Sequence, residues 1–229
     1  MDMLANLMAA ASGGNTYGAV EAYRKSTFSA ISAIAGVANL ATSTAYVETV
    51  GCFSVYNTAD VEATTPTYEW IEPVYLRMTQ LAVNTAGTRM QFDFTMDNID
   101  RHSSGGTELT GVATAFSGDS AWADRTSKAE IHCGLLTLTA ASADVKILAR
   151  PMASSVIGAV EDVYMIVFGS TAEYHNTSDS DFHVIGVPRM PIGPGANLMV
   201  HQIAPSQSDD PLFQYEFGYI EHPPTDQTS

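Results

Sequence analysis

Near the carboxyl end, Phe213, Tyr215, Phe217 and Tyr219 alternate with Gln214, Glu216 and Gly218. A two-residue period puts all four rings on one face of an extended strand and the polar set on the other. Each ring contributes about 1.5–3 kcal/mol when it leaves water. An isolated two-stranded ribbon has nothing to bury four of them against. The reading is therefore a strand over 196–205, a turn at Ser206-Gln207-Ser208-Asp209-Asp210 and a returning strand over 211–222. This hairpin must lie on an opposing sheet.

The same texture recurs upstream. Strands are expected over 45–56, 68–83, 88–96, 109–115, 129–140, 145–149, 162–169 and 182–187. Asn84-Thr85-Ala86-Gly87 offers the turn chemistry of a hairpin between the second and third of these, with Gly87 near a positive-φ position. Ala141-Ser142-Ala143-Asp144 reads as the bend of another, joining 129–140 to 145–149. The nearly continuous apolar run over 162–169 fits a strand covered on both faces. The segment 97–107, with Arg101-His102-Ser103-Ser104-Gly105-Gly106 at its centre, reads as an exposed polar loop.

About nine strands with regular turn signals describe an all-β chain, with a two-sheet jelly-roll sandwich as the expected architecture and an immunoglobulin-like sandwich as its competitor. With 229 residues, 45% of them hydrophobic, there is material for one large domain. That domain is assigned to 41–223, preceded by an arm over 1–40 and followed by a polar tail over 224–229. In the arm, Met1, Leu4, Leu7 and Met8 recur at helical spacing and Ser12-Gly13-Gly14-Asn15 ends that short segment, with a second weakly helical piece over 19–25. Such an arm needs the domain or a neighbouring subunit to order it.

The formal charge is −15, and residues 151–229 carry ten acidic groups against Arg189 alone. That surface repels phosphate, so neither nucleic acid nor an anionic membrane is an expected partner. Met1-Asp2-Met3-Leu4 lacks a basic n-region, and the apolar run over 28–41 is too short and too interrupted to span a bilayer.

Candidate chemistry is sparse. Gly118-Asp119-Ser120 resembles an esterase serine block, but the late Asp-x-x-His partner is missing, since Asp181-Phe182-His183 and Glu221-His222 have other spacings. Asp93, Asp97, Asp100, Asp179 and Asp181 offer oxygen donors for a hard cation without the ligand density of a calcium loop. His102, His132, His175, His183, His201 and His222 are scattered, with no two at i,i+2 or i,i+4, which argues against zinc. Of these, His132 and His201 fall within strands and read as half-buried, hydrogen-bonded residues. Cys52 and Cys133 lie in apolar runs and read first as buried thiols, with a cross-strand disulfide as the alternative. Asn176-Thr177-Ser178 matches a glycosylation triplet, and Trp70 and Trp122 read as packing or loop anchors. No catalytic, cofactor or metal residue is assigned.

Several phrases carry a family likeness. They are Tyr75-Leu76-Arg77-Met78 through Met96, Arg101 through Thr110, Asp162-Val163-Tyr164-Met165-Ile166-Val167-Phe168-Gly169, Pro191 through Leu198, and Phe217-Gly218-Tyr219-Ile220-Glu221. Together with the Ala/Ile-rich arm they resemble β-rich virion structural proteins of tailed bacteriophages, over roughly residues 28–222. The resemblance implies a jelly-roll protein that decorates or cements the capsid exterior, commonly as a homotrimer bound to the major capsid protein, with no enzyme activity. The alternative is a carbohydrate- or receptor-binding module using Trp122, Tyr174 or His175. A cupin-like enzyme ranks last, because it needs histidines gathered around one interior.

Overall fold

The computed structural model describes residues 27–39, 41–42, 45–59, 69–82, 90–110, 112–113, 127–154, 159–170, 173–175, 182–204 and 211–222. Among these there is no helix. The strands are β1 (Thr27–Ile31), β2 (Val37–Ala38), β3 (Ala41–Thr42), β4 (Val50–Asn57), β5 (Trp70–Ala82), β6 (Met90–Asp97), β7 (His102–Leu109) and β8 (Val112–Ala113). They continue as β9 (Ala129–Leu138), β10 (Lys146–Ala149), β11 (Met152–Ser154), β12 (Val163–Phe168), β13 (Glu173–His175), β14 (Phe182–Val187), β15 (Asn197–Ile203) and β16 (Leu212–His222).

They form two sheets packed as a sandwich. The first runs β13-β14-β12-β5-β16-β1-β8, with β2 also on β16; the second runs β10-β6-β15-β4-β9-β7, with β11 also on β6 and β3 on β15. Most pairs are antiparallel, the exceptions being β12 with β14 and β15 with β3.

The aromatic alternation that opened the sequence reading is the centre of the core. Phe213, Tyr215, Phe217 and Tyr219 are all fully buried. They face the second sheet, where Phe53 on β4 lies 5.2 Å edge-on to Phe217 and 6.0 Å from Tyr215. Phe92 and Phe94 on β6 meet Tyr164 and Phe168 on β12 at 6.3 and 5.9 Å, closing the other half of the interior. Offset and edge-on pairs of this kind add to the burial term because each ring's positive edge meets a negative face. On the outer side of the same strand, Gly218 pairs with Tyr75 of β5, whose ring would stand 2.2 Å from an added Cβ. Only glycine lets that ring lie on the sheet.

Four expectations are corrected. First, β15 and β16 are not a hairpin: β15 pairs with β6 and β4 in one sheet, and β16 with β5 and β1 in the other. Second, β5 and β6 likewise fall in opposite sheets, and residues 84–87 lie outside the described residues. Third, β9 and β10 share a sheet but do not pair, since three strands separate them. The chain crosses the end of that sheet instead, held by Thr139 N–H donating to Arg101 O at 2.8 Å and Ser142 N–H to Asp97 Oδ2 at 2.9 Å. Fourth, the expected exposed loop over 97–107 is corrected in two ways: Asp97 and Arg101 are buried, and from His102 onward the chain is a strand paired along β9, exposed only over 103–108.

Of the expected arm, residues 1–26 lie outside the described residues. Thr27–Ile31 is an integral strand between β16 and β8, with Phe28 stacked 5.3 Å from Tyr219. The double-sided burial expected for 162–169 is found in β12, and 182–187 coincides with β14.

Candidate functional sites at the two edges of one sheet

Most polar side chains inside the sandwich are satisfied by protein partners. Arg101, fully buried, donates to Asp97 Oδ2 at 3.0 Å, to Thr139 O at 2.8 Å and to Glu48 O at 2.8 Å. Burial pushes Asp97 up, but the Ser142 hydroxyl and amide, the Asn98 amide and Arg101 outweigh it and hold the carboxyl below its ordinary value. Asp93, fully buried, takes a bidentate contact from Arg150 at 3.0 Å. Asp100 accepts the His102 N–H at 3.0 Å. Three of the five expected cation donors are thus engaged by the protein itself, and Asp179 and Asp181 lie outside the described residues.

Glu72 is gripped by Arg189 and by His222 Nε2, the latter at 2.8 Å. Burial opposes its ionisation, and the bonds from His222 and Arg189 overcome that and lower its pKa. His201 is buried rather than half-buried, bonded to Thr95 Oγ1 at 2.9 Å and to Val50 O at 2.7 Å. Burial is the largest influence on it and lowers its pKa. Cys52 and Cys133 are buried free thiols, each pushed up by burial to about 12. Arg101, Asp97, Asp93, His201 and both cysteines are buried and hold the fold.

The edges of the second sheet are different. At one edge, β10 and β11 follow each other along β6. Ile147 is 50% exposed, Leu148 37% and Met152 50%. Successive strand residues point to opposite faces, so Ile147 and Leu148 leave both faces of β10 apolar and wet.

At the other edge, β7 is bulged twice, between His102 and Ser104 and between Gly105 and Thr107. Gly105 and Gly106 adopt φ of 80° and 72°, and an added Cβ would meet Leu135 O at 2.3 Å and Cys133 O at 2.6 Å. Bulges re-aim side chains and tighten twist. Here the His102 ring stacks on that of His132 from β9, with centroids 3.6 Å apart and planes 12° from parallel. His132 Nε2 is 2.9 Å from Glu130 Oε1, and His102 Nε2 is 3.1 Å from Gly105 O. One ligand atom from each of His102, Glu130 and His132 lies within 4.8 Å of the others. Glu108 stands directly across from His132 in the ladder. Tyr56, across from Glu130 on β4, has its pKa raised by burial first, then by the negative fields of Asp100 and Glu130.

Histidine spacing did not reveal this cluster, because thirty residues separate His102 from His132. The available signal was Glu130-Ile131-His132, which puts a carboxylate and an imidazole on one face of a strand. Gly118-Asp119-Ser120, Trp122 and Asn176-Thr177-Ser178 lie outside the described residues, as do the side chains of Tyr174 and His175. His183 stacks on Tyr164 at 5.0 Å, and Trp70 begins β5 half-buried with its ring against Gly193.

Comparison with protein families, with curated proteins and with solved structures returns no match.

Proposed function

We propose that this chain is a virion structural protein that decorates or cements the exterior of a tailed-phage capsid. In this reading it is a jelly roll, assembled as a homotrimer and bound to the major capsid protein. The observation that carries it is the β10–β11 edge, where Ile147, Leu148 and Met152 stand exposed on strands that, among the described residues, pair with β6 alone. An edge of that kind is a template for pairing with another chain. Apolar side chains on both of its faces give such a pairing a driving force beyond backbone hydrogen bonds.

Three side chains cover only part of the about 800 Å² per partner that a stable interface needs. The contact must therefore extend over neighbouring backbone. The −15 charge sets long-range repulsion between copies. Association then depends on close apolar contact, which suits a protein that stays dispersed until it finds its lattice. The frequent passage of the chain between the two sheets supports the jelly-roll reading.

The test is the mass in solution. Light scattering should give about three times the 24.4 kDa of one chain, and the pair Ile147→Asp with Met152→Asp should reduce it to a single chain with an unchanged β spectrum. A wild-type protein that stays monomeric at tens of micromolar overturns the assembly reading.

A further inference from the structure

We propose that His102, Glu130 and His132 form a binding site for one divalent transition-metal ion of the zinc class, at the β7–β9 edge of the second sheet. Two imidazoles and one carboxylate are a donor set zinc takes readily, with the fourth position left to water or another donor. Calcium and magnesium are poorer candidates, since they require mostly oxygen ligands.

The geometry is close to what the ion needs. Ligands at about 2.0–2.1 Å on a tetrahedral zinc stand about 3.3 Å apart. His132 Nε2 and Glu130 Oε1 are already 2.9 Å apart, and the third donor lies inside the 4.8 Å limit that spans all three. Because the two rings lie nearly parallel, their in-plane lone pairs do not yet converge, and the His102 ring must turn out of the stack to complete the site. The Gly105 carbonyl, 3.1 Å from His102 Nε2, takes that nitrogen's proton as a hydrogen bond. This leaves Nδ1 with its lone pair for the ion, as an outer-shell carbonyl commonly does for a metal-binding histidine.

Access is favourable as well. The side chain of Glu130 is 37% exposed and that of His132 10%. The terminal strand β7 is exposed from Ser103 through Glu108. The two bulges, between His102 and Ser104 and between Gly105 and Thr107, bend β7, and His102 stacks on His132 of β9.

The experiment uses the full-length chain, stripped with a chelator and moved to chelator-free buffer. It is titrated with zinc chloride by calorimetry and with cobalt(II) by visible absorption. The expected result is one ion per chain, saturating in the micromolar range, with the intense cobalt bands of a four-coordinate site. His102→Ala and His132→Ala should each weaken binding about 100-fold or more, and Glu130→Gln at least about tenfold. His222→Gln, which alters a histidine–carboxylate pair elsewhere, should leave binding unchanged. Should His132→Ala fail to fold, His102→Ala on the exposed strand decides alone. Absence of saturable heat, or zinc binding undiminished in both His102→Ala and Glu130→Gln, overturns the proposal.

Discussion

Arg101→Met tests whether one buried ionic cluster fixes the path of the chain around the end of the second sheet. The guanidinium joins four segments: Asp97 at the end of β6, its own turn into β7, Glu48 ahead of β4, and Thr139 just past β9. Met has nearly the same reach and no donors, so packing changes little while three charge-assisted hydrogen bonds vanish. Removing one partner of a buried ion pair costs about 3–5 kcal/mol, because the other charge stays buried. Asp97 keeps the donors of Ser142 and Asn98. For a domain of this size each kcal/mol lowers Tm by about 2–4 °C. A loss near 4 kcal/mol therefore lowers Tm by about 8–16 °C.

The pH dependence supplies an independent check. Asp97 has a folded pKa below its ordinary 3.8, so its contribution is fully present above that value and is lost as pH falls through the folded pKa. Wild type and Arg101→Met should therefore differ by a constant amount at pH 5–7 and begin to converge only as pH falls below 3.8. The assay is thermal and urea unfolding followed by circular dichroism across pH 3–7, on wild type, Arg101→Met, Asp97→Asn and the double variant. The double variant should be less destabilised than the sum of the singles, with a coupling of about 1–3 kcal/mol. A Tm drop under about 2 °C in Arg101→Met, or strict additivity in the cycle, would refute the argument.

Phe217→Ala removes a fully buried ring whose centroid lies 5.2 Å from Phe53 and 5.1 Å from Tyr219. It should cost about 3–5 kcal/mol in urea unfolding, whereas Gln214→Ala on the wet face should stay within about 0.5 kcal/mol. Cys52 and Cys133, raised to about 12 by burial, should resist a thiol reagent at pH 8. On the order of 10⁻⁴ of each is then thiolate, against about a quarter for an exposed thiol. Both should react within minutes in 6 M guanidinium, and fast labelling of the folded chain would contradict the packing described.

Strand existence was legible because burial leaves a local trace. The ring alternation of β16 and the apolar run of β12 each record one or two covered faces. Strand partners were not legible. Three loops were read as hairpin turns and none joins paired strands. The reason is geometric: stacked sheets lie about 10 Å apart and paired strands about 4.8 Å, while each residue of extended chain reaches about 3.3 Å. A polar loop of four to eight residues spans either gap, so its composition cannot tell a hairpin from a passage to the facing sheet. β7 was missed as a strand for a related reason. With both faces in water, Ser103 to Glu108 needs no apolar alternation, and its glycines serve bulges rather than a loop. The histidine cluster depends on those bulges, so linear spacing could not show it.

The sandwich closes its interior so fully that chemistry and adhesion are pushed to its margins. Asp93, Asp97 and Glu72 are tied to arginines, and both thiols sit under packed side chains. Among the described residues, apolar side chains at β10 and imidazoles with a carboxylate at β7 stand where strand pairing stops. These edges are the first and last strands of one sheet, five strand spacings apart. At about 4.8 Å per spacing that is roughly 24 Å, beyond the range over which substitutions usually couple and well beyond the screening length in physiological salt. An ion at His132 therefore exerts little direct force on a neighbour docked at Ile147. If both proposals hold, a single chain would present one edge to a second copy while the other holds a metal ion.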